Sequence, residues 1–198
     1  MDLNYKTNLI FPVPIHQFDV NEFCEIQNKL IDYVYDLKRK QPTGKSATNR
    51  GGWQSLPFDL DNEDDILHKF LINCLCGLPC FKEDVKFSVI AWININKPGD
   101  YNVKHQHPTN DLSGVLWIKT PENSGNIKFE SPFMFSSYQE IELYNTEFKD
   151  NYNIYQTFYF NPIEGKILVF PSHLAHHVEE NKSEEDRISV AFNIRLKK

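Results

Sequence analysis

Two histidines one residue apart, His105 and His107, a third at His176, and then Arg187 and Ser189 are the residues of this chain whose types and spacing could do chemistry together. Imidazole nitrogens are good ligands for divalent transition metals. Three of them arriving from two places in the chain can occupy one face of an ion and leave its other positions open. In an extended segment residues 105 and 107 point to the same side, so both rings can converge on one ion while Gln106 faces away. Asp111 is an alternative third ligand, but it lies beyond Pro108 and Asn110 in a turn-like segment, which favours His107. In His173-Leu174-Ala175-His176-His177-Val178 alternation admits only one of His176 and His177 to the interior. Five of the seven histidines fall in these two clusters, and that concentration argues for a site. His16 and His68, by contrast, read as surface or locally satisfied residues.

Arg187 adds a second kind of chemistry. It heads the alternation Ile188, Val190, Phe192, Ile194, so Arg187, Ser189, Ala191 and Asn193 share the face opposite that apolar row. A guanidinium on an inward face is costly unless it meets an anion. Its fork fits a carboxylate at two points, each charge-assisted bond contributing about 1.5–3 kcal/mol. Ser189 offers a hydroxyl to the same anion, whereas for Arg187 taken alone a pair with Glu184, Glu185 or Asp186 at the strand entrance is the better reading.

These residues need a scaffold that holds two segments face to face, and the hydrophobic periodicity supplies one. From Val85 to Asn96 the period is two: Val85, Phe87, Val89, Ala91, Ile93 and Ile95 share one face, and Ser88, Ile90, Trp92, Asn94 and Asn96 the other. Further strands are expected over 103–108, 114–119, 127–130, 152–160, 166–170 and 187–196, joined by Asn, Pro and Gly turns. Strand after strand without intervening helices indicates an antiparallel sandwich or barrel. Ahead of them, Phe23, Ile26, Leu30, Val34 and Leu37 mark a helix from about Asp19, with Glu22 as its capping partner, to about Lys40. A second helix is expected from the acidic run Glu63-Asp64-Asp65 to Gly77 and Pro79. The reading is a mostly β chain with N-terminal helices: one domain over 1–198, with a helical buttress at about 19–80 and the strand core at about 84–197.

A net charge of −6 argues against a nucleic-acid partner, since Lys38-Arg39-Lys40 and Arg195, Lys197 and Lys198 are the basic clusters and read as a helix end and a tail. No run is long and apolar enough for a membrane span, and with no export signal at the N-terminus a cytoplasmic setting is expected. Cys24, Cys74, Cys76 and Cys80 lack the paired spacing of a zinc site and read as reduced, partly buried thiols.

The motifs in order resemble the iron(II) and 2-oxoglutarate-dependent oxygenases, specifically the small members related to prolyl 4-hydroxylases. The segments carrying the resemblance are Gly51-Gly52-Trp53-Gln54-Ser55, Gly99-Asp100-Tyr101-Asn102, His105-Gln106-His107-Pro108, LSGV (112–115), GNIKFESP (125–132), FPSHLAHHV (170–178) and RISVAFNI (187–194), most of the chain beyond residue 50. The resemblance implies a double-stranded β-helix, or jelly roll, and Fe(II) and 2-oxoglutarate as cofactors. It implies His105 and His176 as metal ligands, Arg187 on the distal carboxylate of 2-oxoglutarate and Ser189 assisting it. The superfamily's first motif is His-x-Asp or His-x-Glu, so here His107 stands in the carboxylate's place. Trp92, Asn94, Tyr101 and Trp117 are expected to line the pocket, with Asn94 and Tyr101 near the cosubstrate and Trp53 at a lid or substrate edge. The implied activity is hydroxylation of an unidentified substrate, such as a peptide or protein side chain, with release of succinate and CO2. Two other classes are a cupin-like metalloenzyme that does not use 2-oxoglutarate and a noncatalytic jelly-roll module. Exposed edge strands of such a fold favour a homodimer.

Overall fold

The alternation that begins at Val85 becomes a strand of eleven residues, β5 (Lys86–Asn96), and its antiparallel partner is the equally long C-terminal strand β12 (Arg187–Lys197). The computed structural model describes residues 4–60, 66–82, 84–133 and 139–197. Among these, two antiparallel sheets form. The larger runs in the order β1 (His16–Asp19), β10 (Lys166–Pro171), β7 (Leu112–Lys119), β12, β5 and β3 (Trp53–Gln54), with β4 (Phe58–Asp59) also paired to β5. The smaller runs β2 (Asn49–Arg50), β6 (Tyr101–His105), β11 (His176–Val178), β8 (Ile127–Glu130) and β9 (Thr157–Phe160). From β5 to β8, and again from β9 to β12, consecutive strands alternate between the sheets. That winding is the double-stranded β-helix, and it lets each long strand of one sheet look across at a short strand of the other.

The two faces of the larger sheet do different jobs. Val89, Ala91, Ile93 and Ile95 of β5 and Ile188, Val190, Phe192 and Ile194 of β12 join one core with Phe23, Leu30 and Val34 of α1 (Phe23–Lys40) and Leu67, Leu71 and Leu75 of α2 (Ile66–Cys76). Each of these side chains larger than alanine contributes about 1.5–3 kcal/mol by leaving water. Between the sheets a smaller cluster of Val115, Trp117, Ile127, Phe129, Leu168, Phe170 and Leu174 fills one end. Close approach fixes Gly114 of β7, where a Cβ would stand 2.3 Å from the Phe192 ring and 2.6 Å from the Leu168 carbonyl oxygen.

Several local expectations are corrected. Asp19 closes strand β1 and pairs with Lys166 at 3.1 Å instead of capping α1, which begins at Phe23 after Glu22 in left-handed backbone (φ 59°) with no side-chain cap. The acidic start expected for the second helix lies outside the described residues. The strand expected over 152–160 is β9 alone, because α3 (Thr146–Tyr152) precedes it, capped by Asn145 Oδ1 accepting from Glu147 N at 2.8 Å, and Asn153 (φ 52°) ends it. Trp53 is not a lid residue. It is buried in the helix–sheet core and its Nε1 donates to the Gln41 carbonyl at 2.7 Å. Gly51 and Gly52, both at positive φ, carry the chain from β2 in the smaller sheet to β3 in the larger, and a Cβ on Gly51 would collide with the Asp100 carboxylate. The four cysteines are free, with Cys24, Cys76 and Cys80 exposed and Cys74 half-buried. Among the described residues no helix is long and apolar enough to cross a membrane.

Candidate active site

β5, β6, β7, β11 and β12 turn one face each toward a cavity of about 310 Å³ between the sheets. From β6 and the turn after it come His105 and His107, and from β11 comes His176, directly opposite His105 in the strand register. One ring nitrogen from each of the three lies within 4.8 Å of the others. His105 Nδ1 sits 2.8 Å from the Val103 carbonyl oxygen and His176 Nδ1 2.9 Å from that of Leu174. A carbonyl accepts only from N–H, so these contacts assign the proton to Nδ1 and leave the Nε2 lone pair free to bind a metal. His176 Nε2 is 3.4 Å from His107 Nε2.

Burial holds these imidazoles neutral. It pushes His176 down to about 3 and, with His105 beside it, His107 down to about 4, and it lowers His105 as well. Phe129 and Phe170 pack on the His176 ring, with centroids 5.7 and 4.9 Å away, and Trp92 packs on His107 at 5.6 Å. The turn after β10 is tied to the segment after β6: His107 N donates to Ser172 O at 2.9 Å and Gln106 Nε2 to His173 O at 2.5 Å. Asp111 stands apart from the cluster, exposed, its Oδ2 accepting from Leu196 N at 2.8 Å. His177 faces the opposite side of β11, toward a surface groove, as alternation requires.

Across the cavity, Arg187 and Ser189 of β12 line the same wall as Asn94 of β5, the register partner of Ser189. Arg187 is 1 % exposed, and burial pushes its guanidinium down to about 10, still charged at neutral pH. Its Nη1 donates to the carbonyls of Ser124, Gly125 (3.4 Å) and Glu179 (3.1 Å). Its Nη2 and the Asn94 Oδ1 are buried without a hydrogen-bond partner among the described residues. An unpaired buried guanidinium nitrogen beside a hydroxyl is a site for an acidic group. The alternative pairing with Glu184, Glu185 or Asp186 is not made among the described residues: Glu185 meets Lys119 at 2.6 Å and Asp186 accepts from Tyr35 Oη at 2.9 Å. The donor set therefore fits a divalent metal on three histidines next to a carboxylate-bearing ligand.

Tyr101 does not belong to this cavity. Counting back by twos from His105 would face it inward, but a β-bulge inserts one extra residue in β6: His176 pairs with His105 while Val178 pairs with Asn102. One extra residue reverses the faces. Asn102 turns in and is buried, and Tyr101 turns out, 41 % exposed, onto the surface groove. Lining residues that sequence reasoning missed include Asn96, Asn102, Gln54 and Lys45, and Gln106, expected to face away, lines the cavity as well. The face shared by Asn94 and Asn96 was a usable signal for Asn96; Lys45, in the loop between α1 and β2, carried none.

A model of the family described as "Putative 2OG-Fe(II) oxygenase" matches residues 90–193, which contain the whole constellation. No curated protein matches by sequence. Among solved structures, a Pseudomonas putida prolyl-4-hydroxylase is similar with a TM-score of 0.64 at 14% identity, covering 92% of each chain. A prolyl hydroxylase from Trichoplax adhaerens, solved with a hypoxia inducible factor peptide, gives 0.59 at 12%, covering 90% of this chain and 83% of that one. The non-heme alpha ketoglutarate dependent carbocyclase SnoK from nogalamycin biosynthesis gives 0.58 at 10%, covering 92% and 79%. These likenesses establish the jelly-roll fold. The family match extends over more than half of the chain, and with it come the two cofactors Fe(II) and 2-oxoglutarate: the chain belongs to the 2OG-Fe(II) oxygenase family.

Proposed function

We propose that residues 1–198 act as one oxygenase domain in which His105, His107 and His176 hold Fe(II). Arg187, with Ser189 and Asn94, receives the distal carboxylate of 2-oxoglutarate, and an unidentified substrate is hydroxylated with release of succinate and CO2. The observation that carries this reading is the buried Arg187 Nη2, without a hydrogen-bond partner among the described residues, on a residue that lines the same cavity as the three histidines. When bound, iron(II) with 2-oxoglutarate supplies oxygen activation coupled to decarboxylation, inserting one oxygen atom into a C–H bond and the other into succinate. The chain's own part is placement. Carbonyl contacts on Nδ1 aim two imidazoles, the Phe129 and Phe170 rings exclude water behind His176, and Ser124, Gly125 and Glu179 hold one edge of the guanidinium so that the other faces the cavity.

The names of two structural neighbours, both prolyl hydroxylases, support a peptide or protein side chain as substrate. The edge strand β9, with Phe158 and Tyr159 exposed, supports a homodimer, which light scattering over a concentration series would reveal. The site itself is tested by adding iron(II) and then 2-oxoglutarate anaerobically to the metal-free protein and recording the visible charge-transfer band of a chelated 2-oxo acid. The band appears with the native chain. His176→Ala abolishes it, and Arg187→Ala raises the 2-oxoglutarate concentration it needs by roughly ten- to a hundredfold, the equivalent of one charge-assisted bond. The second reading, a metalloenzyme that does not use 2-oxoglutarate, is favoured only by His107 standing where a carboxylate would, and full activity in Arg187→Ala would select it.

A further inference from the structure

The chain carries 27 acidic residues, yet among the described residues none lines the cavity. Its lining instead holds Arg187, Lys45, the three histidines and a ring of amides, Asn94, Asn96, Asn102, Asn193, Gln54 and Gln106. The carboxylate whose charge acts on Arg187 is Asp100, which lies outside the lining and whose Oδ2 is already taken by Lys97 N at 2.7 Å. A cavity emptied of acid in an acidic protein is an electrostatic selection.

With the three histidines as iron ligands, the reading on which this substrate assignment rests, the charges in the cavity can be counted. Neutral imidazoles bring no charge to the metal, whereas a two-histidine, one-carboxylate site brings one negative charge. Iron(II) contributes two positive charges, Arg187 one and Lys45 one, against two negative on 2-oxoglutarate. Two positive charges remain uncompensated once the cosubstrate is in place, one more than a carboxylate ligand would leave. In a cavity walled by Trp92, Trp117, Val115 and Phe170 the surrounding medium screens the metal and Arg187 charges less than water would, while Lys45, exposed, is screened more fully. The cavity of about 310 Å³ is at the small end for a ligand site, and the cosubstrate takes part of it. The space left over admits a group of about one side chain.

We infer that the substrate presents an anionic group, a carboxylate or a phosphate, on a portion the size of one amino-acid side chain, and that Lys45 at the cavity wall is the specificity-determining residue that meets it. Lys45 is exposed and its backbone N donates to Gln54 O at 2.7 Å, which fixes the base of the side chain while leaving the ammonium free to follow a ligand.

The test uses matched probes on the anaerobic iron(II)·2-oxoglutarate complex, with perturbation of the visible band as the readout of binding. The pairs are N-acetylglutamate with N-acetylglutamine, N-acetylaspartate with N-acetylasparagine, and O-phosphoserine with serine. The acid of at least one pair should perturb the band at roughly fivefold lower concentration than its neutral partner, as a partly exposed charge pair gives. Which pair responds separates carboxylate from phosphate. Lys45→Gln should weaken the preference and Lys45→Glu erase it, while the band itself reports that each variant is folded and loaded. Equal binding within every pair, or a preference that survives Lys45→Glu, would overturn the inference and leave the cofactor reading standing. No band in the native chain would overturn both.

Discussion

The two sheets that face each other across the cavity are held in different ways. The larger has strands of up to eleven residues, its outer face sealed by α1 and α2, and it carries Arg187, Ser189 and Asn94. The smaller has strands of two to five residues with Tyr101, Lys104 and Tyr159 exposed, and it carries His105 and His176. The cosubstrate half is positioned by a core; the metal half is positioned by local hydrogen bonds and by what it binds. A metal on His105 and His176 would cross-link β6 to β11 and brace the weaker sheet, much as a ligand that binds only the folded state stabilises it.

Breaking each half in turn should therefore give opposite phenotypes. His176→Ala is expected to abolish metal-dependent absorbance while leaving thermal unfolding of the metal-free chain close to native. Phe192→Ala is expected to lower stability by about 3–5 kcal/mol in denaturant titration, because it opens a hole between Gly114 and the helices, yet to retain the metal band below the transition. Gly114→Ala should cost about 1–3 kcal/mol in the same titration by forcing Phe192 and the Leu168 carbonyl apart.

Lowering pH sharpens the contrast. His176 at about 3 and His107 at about 4 stand far below the ordinary 6.5 of an unfolded histidine. The unfolded chain takes up protons below pH 6.5 that the folded chain refuses, so stability of the metal-free protein falls as pH drops from about 6.5 toward 4. Urea midpoints at pH 7 and pH 5 check the sign, and His107→Gln should flatten the difference. The smallest effect belongs to the outer face of the smaller sheet. Lys104→Ala breaks a 2.9 Å pair with Glu130 that is half in solvent and should shift stability by less than about 0.5 kcal/mol.

Much of the fold and the site was legible along the chain because it depends on periodicity. The two faces of β5 and β12 come from alternation, which is why Ile188, Val190, Phe192 and Ile194 enter the core while Arg187, Ser189, Ala191 and Asn193 reach the cavity. His105, His107 and His176 were legible as residue types at a spacing, and alternation also separated His176 from His177.

What only the tertiary structure decided is where alternation is interrupted or where distant loops arrive. A single extra residue in β6 exchanges Asn102 for Tyr101 at the cavity wall, and no composition of that segment announces a bulge. Trp53, following two glycines, read as a lid or substrate-edge residue, but those glycines deliver it into the helix–sheet core. Lys45 reaches the cavity from a loop whose position is set by helices and strands far from it in sequence. A strand's period is a property of its own backbone and can be read from its residues. A convergence is a property of contacts between segments, and it exists only once the sheets have closed.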